Sequence, residues 1–255
     1  MTVAIKKNIR VAGNEKIAEH IYDMWLDAGD MAYSARPGQF ISLYCNDGSR
    51  LLPRPISICE IDKKEARLRL VYRVVGKGTE EFSKLKPGDT IDCMGPLGNG
   101  FTLEGHKALI IGGGIGIPPL LELSKQLDCD KNIVLGFRDF TFLVNDFKKY
   151  GKVYLSTEDG SAGTKGNVLD AIRQYGLAGD IIYACGPAPM LKGIKAFAEE
   201  NGVKAQLSLE ERMACGIGAC LACVCRSADT DTHTNVNNKR VCKEGPVFYA
   251  DEIIL

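Results

Sequence analysis

The chain has 255 residues, a length that suits one large domain or two ordinary domains with an appendage. Lysine plus arginine and aspartate plus glutamate both total 32, so there is no basic field to attract nucleic acid or an anionic membrane. The three histidines form no recognisable nucleophile or metal motif, which argues against hydrolytic triads and zinc-protease chemistry.

The sequence gives no sign of export or of a membrane span. Residues 1–7 contain too few apolar side chains for a signal peptide. The most apolar run, residues 108–123, includes four glycines, two prolines and Glu122. We therefore expect a cytoplasmic protein whose ten cysteines are reduced thiols or metal ligands rather than disulfides.

Short strands separated by turn signals are typical of the first hundred residues. A strand is predicted at residues 39–44 after a Pro-Gly turn, and another at residues 90–93 after a Pro-Gly-Asp turn. Between them, residues 67–74 alternate with period two, with apolar side chains on one face and arginines on the other. Several short strands without long helices predict a small antiparallel β-barrel.

Two motifs of this region suggest a ligand. Arg54 and Ser57, in the run Arg-Pro-Ile-Ser, place a guanidinium near a hydroxyl at the start of a strand. The run Gly-Lys-Gly-Thr at residues 76–79 leads into a short helix predicted at residues 80–85, and such a loop is a natural phosphate site. Each motif alone is weak, because Arg54 could form a surface ion pair and Gly78 an ordinary turn.

Strands and helices alternate from Lys107 onward, which predicts a parallel sheet covered on both faces. A strand at residues 108–111 ends in a glycine-rich turn, residues 112–118, and a helix follows at residues 119–127. Further strands are predicted at residues 133–137, 153–156, 181–184 and 204–209, and further helices at residues 142–150, 168–175 and 188–200.

The glycine-rich turn departs from the usual dinucleotide fingerprint, because Ile117 occupies the place of the third glycine. A second turn, Cys-Gly-Pro at residues 185–187, ends another strand at the carboxyl edge of the sheet, where ligands of such sheets bind. A strand-terminal cysteine alone is more often a small buried residue.

Residues 158–161 could contact the ribose of a bound dinucleotide, and they could equally form a solvated loop. Arg138 would favour a 2′-phosphate and Asp139 would repel one, and on balance we favour NAD.

The most specific pattern lies in the last fifty residues. Cys215, Cys220 and Cys223 have C-x4-C-x2-C spacing, and Cys242 follows after eighteen residues, which is typical of a plant-type [2Fe–2S] cluster. A structural zinc site would usually need two short-spaced pairs. Cys225 competes as fourth ligand, but its closeness to Cys223 would strain a four-thiolate cage, so we favour Cys242.

The runs R-P-I-S, V-Y-R and G-K-G-T, followed by a glycine-rich βα unit, resemble the ferredoxin–NADP reductase superfamily. The resemblance implies that Arg54 binds the FAD pyrophosphate and that Ser57 lies near the reactive N5 atom. It implies that Ser57 and Cys185 flank the hydride path. The residues implied to contact FAD are Arg54, Pro55, Ile56, Ser57, Val71, Tyr72, Arg73, Gly78 and Thr79. Those implied to contact NAD are Gly112, Gly113, Gly114, Gly116, Cys185, Gly186 and Pro187.

Residues 210–225 and 241–248 resemble the electron-transfer subunits of type B dihydroorotate dehydrogenase. That resemblance implies an FAD barrel at residues 1–102, an NAD-binding α/β domain at residues 103–207 and a [2Fe–2S] domain at residues 208–255. It further implies a partner subunit that contains FMN and oxidises dihydroorotate, in a heterotetramer with two copies of each chain. Electrons would pass from FMN through the cluster and FAD to NAD⁺.

Two other interpretations stay open at this point. The first is a reductase subunit of a sulfide dehydrogenase or of an NADH-dependent ferredoxin–NADP oxidoreductase, which share the fold. The second is a zinc-bearing interaction module that is not an enzyme, for which the flavin and glycine motifs would have to be accidental.

Overall fold

The computed structural model describes residues 6–230 and 235–255. Residues 1–5, which carry most of the segment judged above for export, lie outside that range. Of the helices in the described ranges, none is both long and apolar enough to cross a membrane.

Six antiparallel strands close into a barrel in the order β1-β2-β5-β4-β3-β6, which confirms the predicted β-barrel. The strands are β1 Lys6–Ala18, β2 Ile21–Asp27, β3 Phe40–Leu43, β4 Arg54–Asp62, β5 Arg67–Arg73 and β6 Thr90–Leu97, with helices α1 Asp30–Ser34 and α2 Lys77–Phe82. The sequence did not predict the long strand β1, because most of its side chains are polar and at least partly exposed.

The alternation predicted for β5 determines which side chains fill the barrel. Leu68, Leu70 and Tyr72 point into the barrel core. Arg69 lies on the opposite face, where its guanidinium pairs with Asp23 at 2.7 Å. The period-two pattern therefore separates a core face from a face directed toward the rest of the chain.

The second layer is a seven-stranded sheet in the order β10-β9-β8-β7-β11-β12-β15, parallel except for β15, and helices pack against it. The strands are β7 Lys107–Gly113, β8 Asp130–Phe137, β9 Lys152–Thr157, β10 Thr164–Lys165, β11 Ile181–Cys185 and β12 Lys204–Ser208. The helices are α3 Pro119–Gln126, α4 Val144–Phe147, α5 Val168–Gln174 and α6 Ala188–Glu200.

Two predicted helices have other bounds in the structure. Helix α4 is much shorter than the predicted 142–150, because Leu143 adopts a left-handed backbone with φ 58° and stops the helix from starting earlier. Helix α2 begins at Lys77 rather than Glu80, so Gly78 and Thr79 belong to its first turn instead of the preceding loop.

The C-terminal segment attaches to both layers. Its small sheet has the order β14-β13-β16, formed by β13 Val224–Ser227, β14 Asn238–Arg240 and β16 Ile253–Ile254. Strand β15, Val247–Tyr249, is not part of this small sheet. It extends the large sheet by pairing antiparallel with β12. A segment too small to bury its own core is thereby stabilised by the neighbouring domain.

A buried carboxylate joins the barrel to the parallel sheet. Glu122, in α3, has a side chain that is 2% exposed and accepts a hydrogen bond from the backbone N–H of Ile61 at 2.7 Å. Because Ile61 belongs to β4, this bond runs from the first helix after the glycine-rich turn to the strand that begins with Arg54. It therefore fixes the two predicted cofactor regions relative to each other.

Candidate functional site

The four predicted metal-ligand cysteines come together as two pairs. The thiol of Cys215 interacts with that of Cys220, and the thiol of Cys223 interacts with that of Cys242, while Cys215 is also near enough to act electrostatically on Cys242. The backbone N–H of Cys242 also donates to Cys223 Sγ at 3.4 Å. In residues 6–230 and 235–255 no three His, Cys, Asp or Glu side chains are grouped as ligands of one metal ion. Two thiol pairs suit a two-iron cluster, in which each iron takes two protein thiolates.

Backbone amides of the connecting loop point at sulfurs of both pairs. The N–H of Gly218 donates to Cys242 Sγ at 3.1 Å, and that of Ala219 donates to Cys215 Sγ at 3.3 Å. The turn depends on Gly216 and Gly218, whose φ angles of 70° and 84° are costly for other residues. Amides that donate to sulfur stabilise thiolate ligands, so the loop fits the group predicted for it.

The two pairs differ in how readily they ionise. Burial opposes ionisation of Cys215, but hydrogen bonds from the amides of Ile217, Ala219 and Cys220 and from the Cys220 thiol outweigh it and lower its pKa to about 6. Burial and the nearby Cys223 thiol raise the pKa of Cys242 to about 12. Cys215 is thus a ready thiolate, whereas Cys242 would release a proton on binding iron.

Cys225, the alternative fourth ligand, lies elsewhere. Its side chain is half-buried in β13 and lines a cavity of about 430 Å³ together with Gly186 and Pro187. Burial raises its pKa, and the charged neighbours that act on it are Glu211 and Lys239. The structure therefore brings Cys242, and not Cys225, to the other three thiols.

A gap between β4 and β5 lies where the flavin motifs meet. The registered pairs of these strands end at Ile58 and Leu70. Beyond that point residues 54–57 pair with β3 on one side, and residues 71–73 pair with β2 on the other. In this gap, along the predicted FAD residues, β4 and β5 make no registered pair with each other, so backbone groups there are available to a planar ligand.

Arg54 lies directly against the first turn of α2. A Cβ added to Gly78 would be 2.2 Å from Arg54 Nε, so only glycine permits this approach. The hydroxyl of Thr79 caps the same helix by accepting from the amides of Val75 and Gly76, at 3.0 Å and 3.2 Å. A contact of Thr79 with phosphate would therefore come from its backbone N–H, together with the guanidinium of Arg54.

The other predicted FAD residues line the gap in different ways. Pro55, Ile56 and Ser57 are half-buried along β4. Tyr72 points into the barrel, where its ring stacks 6.0 Å from that of Tyr22, so it would reach a flavin only through its backbone. Val71 points the other way and is buried against the parallel-sheet layer, and Arg73 is exposed.

The two predicted nucleotide turns touch each other. A Cβ on Gly116 would lie 2.6 Å from the carbonyl carbon of Cys185, and one on Gly113 would lie 2.5 Å from Met190 Sδ. A Cβ added to Gly114 would lie 3.9 Å from a guanidinium nitrogen of Arg73, which belongs to β5. The edge of the barrel therefore adjoins this turn. Gly112 is in register with Cys185 on the neighbouring strand, while Gly186 and Pro187 complete the second turn.

The thiol of Cys185 is kept protonated. Burial raises its pKa to about 12, and a hydrogen bond with Ser208 only partly offsets this. Cys185 can therefore act as a neutral group beside a ligand but is a poor nucleophile.

Sequence reasoning missed the residues that fasten the cysteine loop to the rest of the chain. Asn99, just after β6, donates its side-chain N–H groups to the carbonyls of Lys243 and Glu244 at 3.3 Å and 3.0 Å. Arg240 donates to the carbonyl of Gly218 at 2.8 Å and pairs with Glu244. The contacts of Asn99 with Lys243 and Glu244, and of Arg240 with Gly218, join distant positions and carry no local sequence signal.

Two protein-family models match parts of the chain. Residues 8–101 match the oxidoreductase FAD-binding domain. Residues 210–254 match the iron–sulfur cluster binding domain of dihydroorotate dehydrogenase B.

Curated relatives align over nearly the whole chain. The electron transfer subunits of dihydroorotate dehydrogenase B (NAD⁺) from Geobacillus sp. WCH70 and Streptococcus mutans are 44% and 45% identical to it over 261 residues. Each alignment covers 98% of this chain and 99% of the relative.

Solved structures share the architecture. An NADH-dependent reduced ferredoxin–NADP oxidoreductase, described in connection with flavin-based electron bifurcation, superimposes with a TM-score of 0.87 and 32% identity. That match covers 96% of this chain and 89% of the other. A flavohemoglobin from Malassezia yamatoensis with bound FAD and heme gives a TM-score of 0.65 at 19% identity, over 78% of this chain and 57% of the other, and shows a similar fold alone.

Proposed function

The chain belongs to the family of electron transfer subunits of dihydroorotate dehydrogenase B (NAD⁺), and on that premise we propose how its residues serve this function. It is a flavin and iron–sulfur oxidoreductase subunit of pyrimidine biosynthesis. When bound, the [2Fe–2S] cluster would supply one-electron transfer between the FMN of the catalytic subunit and FAD, and FAD would supply the change to the two-electron reduction of NAD⁺.

For the cluster, we assign Cys215 and Cys220 to one iron and Cys223 and Cys242 to the other. The observation that supports this is the pairing of the four thiols, with loop amides donating to both pairs. A single zinc ion would instead need all four sulfurs around one centre. The spacing of the cysteines and the match of residues 210–254 to an iron–sulfur cluster binding domain support the two-iron cluster over zinc.

For FAD, we assign the gap between β4 and β5 to the flavin and the Arg54–Gly78 contact to its phosphates. Ser57 would lie at the reactive edge of the ring, and Val71, Tyr72 and Arg73 would contact it along β5. Pro55 and Ile56 shape the opposite edge of the gap. A fixed guanidinium and the amides of Gly78 and Thr79 together give charge-assisted hydrogen bonds to an anion.

For NAD, we assign the two touching turns at the carboxyl edge of the sheet. Gly112, Gly113 and Gly116 let the two turns pack closely against each other and their neighbours, and the more open Gly114 would leave room for the dinucleotide. Gly186 and Pro187 would bound its nicotinamide end. Cys185 would stay protonated beside the ring, with Ser57 on the flavin side. No acid or base on this chain is assigned to this transfer, since a hydride passed from reduced flavin to NAD⁺ would carry its own proton and both electrons.

We propose that the catalytic subunit docks over the cysteine loop. Ile217 and Leu221 are 46% and 62% exposed, Val224 is 37% exposed, and Cys220 is exposed among them. Apolar side chains exposed next to a redox centre suit a protein partner. A heterotetramer with two copies of each chain in the cytoplasm, where thiols stay reduced, is part of this proposal.

We propose that the chain divides into three units at residues 1–102, 103–207 and 208–255. Strand β15 of the third unit completes the sheet of the second. The likeness to the ferredoxin–NADP oxidoreductase concerns a sister class with the same fold. The identity of 44–45% to the dihydroorotate dehydrogenase subunits, compared with 32% to that structure, favours the former.

The division of labour is tested with the purified chain and its partner. If both the flavin and NAD sites lie on this chain, it alone should oxidise NADH with an artificial electron acceptor. Oxidation of dihydroorotate coupled to NAD⁺ should begin only when the FMN-containing subunit is added. Turnover of dihydroorotate by the isolated chain, or no NADH oxidation with FAD fully bound, would contradict the proposal.

A further inference from the structure

A buried hydroxyl on the barrel faces the cysteine loop. Ser42, in β3, is 1% exposed, and its Oγ has no hydrogen-bond partner in the described part of the chain. This Oγ lies 2.9 Å from the position that a Cβ on Gly216 would occupy. Gly216 directly follows Cys215, so the unpartnered hydroxyl adjoins the proposed ligand loop.

The alternation of β3 directs Ser42 there. Ile41 and Leu43 point into the barrel core, whereas Phe40 packs into the cluster of side chains shared with the sheet and the C-terminal segment. Ser42 therefore projects out of the barrel, on the side of Phe40. Its partner in register on β4 is Pro55, which places it between the predicted flavin residues and the cysteine loop.

No group in the described part of the chain is placed to hydrogen-bond this hydroxyl. The side chains next to Gly216 on the barrel side are Leu97 and Phe40, at 3.7 Å and 4.0 Å from its added-Cβ position. A buried hydroxyl without a partner destabilises the fold, so this one is expected to have a partner. The loop beside it carries the sulfur ligands, which accept hydrogen bonds and already receive them from the amides of Gly218 and Ala219.

We propose that the hydroxyl of Ser42 donates a hydrogen bond to a sulfur of the [2Fe–2S] cluster beside Cys215, and that this bond raises the reduction potential of the cluster. The inference rests on the cluster assignment made above. When the cluster accepts one electron from the partner's flavin, its charge becomes more negative by one, no bond is made or broken, and the proton stays on Ser42 Oγ. A donor at this position stabilises the more negative form, and so favours reduction.

The test is an EPR-monitored redox titration of the full chain purified with its cluster. Ser42→Ala should reduce the equilibrium constant for cluster reduction roughly tenfold, which corresponds to about 59 mV for one electron. Ser42→Thr keeps the hydroxyl and should restore the wild-type potential. Ser156→Ala is the matched control, because Ser156 is likewise buried without a partner among the described residues but lies in β9 of the sheet.

Pulsed EPR of the reduced wild-type chain in D₂O supplies a second readout, a deuteron coupling that Ser42→Ala lacks. Equal potentials for wild type and Ser42→Ala, a potential of Ser42→Thr equal to that of Ser42→Ala, or an equal shift in Ser156→Ala would overturn the inference. If the wild-type chain binds no iron and sulfide at all, the cluster assignment itself fails. If it binds two irons and only the Ser42 effects are missing, the cluster assignment stands and this inference alone fails.

Discussion

The guanidinium of Arg54 occupies the space that a side chain at position 78 would need, with its Nε 2.2 Å from the added-Cβ position of Gly78. The two residues are twenty-four positions apart in sequence. Their contact combines a fixed positive charge with the first-turn amides of α2. Neither motif alone predicted an anion site strongly, and the contact between them is what supports one.

Arg54→Ala should purify with little FAD while the cluster is retained. A hydrogen bond to a charged group contributes about 1.5–3 kcal/mol, so FAD affinity should fall roughly ten- to a hundredfold. FAD content is measured by absorbance after denaturation, and iron by a chemical assay. Arg67→Ala is the control, since it removes the same charge from an arginine of the barrel that pairs with Asp27. Full FAD occupancy in Arg54→Ala would rule out the phosphate assignment.

Gly78→Ala tests the contact itself without removing the charge. The new methyl group would displace the guanidinium, so FAD affinity should fall in the same direction as in Arg54→Ala. Gly76→Ala is the matched control, because no atom lies within 4 Å of an added Cβ there. Equal FAD affinity in both glycine variants would show that the position of the guanidinium does not matter.

The residues that could be predicted from sequence are those whose signal is local. The alternation of residues 67–74 gave the correct core face of β5, and the cysteine spacing with its distal Cys242 pointed to thiols that lie near one another in the structure. The structure differs from the sequence expectation at β1, where the local pattern is weak. It also differs at α4, where the left-handed backbone of Leu143 determines where the helix begins. Ser42 and Asn99 were missed because their importance comes from contacts with segments more than a hundred residues away.

Asn99→Ala should loosen the attachment of the C-terminal segment to the barrel. The change removes two side-chain hydrogen bonds to the carbonyls of Lys243 and Glu244, worth about 1 kcal/mol together at this exposed site. Loss of iron to a chelator should therefore be a few-fold faster, as followed by bleaching of the visible spectrum. Asn8→Ala, which removes an exposed bond to Asp92 on the barrel, should leave that rate unchanged. Identical bleaching rates would show that Asn99 does not hold the loop.

Glu122, at the contact between barrel and sheet, should make the free energy of unfolding depend on pH. Burial raises its pKa above the usual 4.5, although the hydrogen bonds from Gln126 and Ile61 oppose the shift. An acid whose pKa is raised in the folded state stabilises that state most when protonated, so its contribution falls as pH rises from about 4.5 through the folded pKa. Above that pH the ionised carboxylate of Glu122 stabilises the folded state less than a neutral amide of the same size would.

Glu122→Gln should therefore be more stable relative to wild type at pH 7.5 than at pH 5, as measured by urea unfolding at both values. Glu122→Leu should be destabilised by about 1–3 kcal/mol at both, since it leaves the N–H of Ile61 unpaired. A difference between wild type and Glu122→Gln that does not change with pH would contradict the raised pKa.

The two remaining candidate ligands are distinguished by Cys242→Ser and Cys225→Ser. Serine is nearly isosteric with cysteine but a poor ligand for iron that is normally held by thiolate. Because Cys242 lies with Cys223 while Cys225 lines the cavity beside Gly186, Cys242→Ser should lose the cluster or change its EPR signal. Cys225→Ser should retain two irons per chain and a native spectrum.

The same pair of variants also tests how far the cluster supports the fold. The cluster ties the cysteine loop to the segment around Cys242, so its loss should weaken binding to the catalytic subunit. FAD should remain, since its residues lie in the barrel, and oxidation of NADH by an artificial acceptor should survive in Cys242→Ser. If Cys225→Ser bleaches while Cys242→Ser keeps a normal cluster, the ligand assignment is wrong. If neither variant changes the iron content or the EPR signal, the cluster assignment itself fails, because a four-thiolate site cannot lose a ligand without consequence.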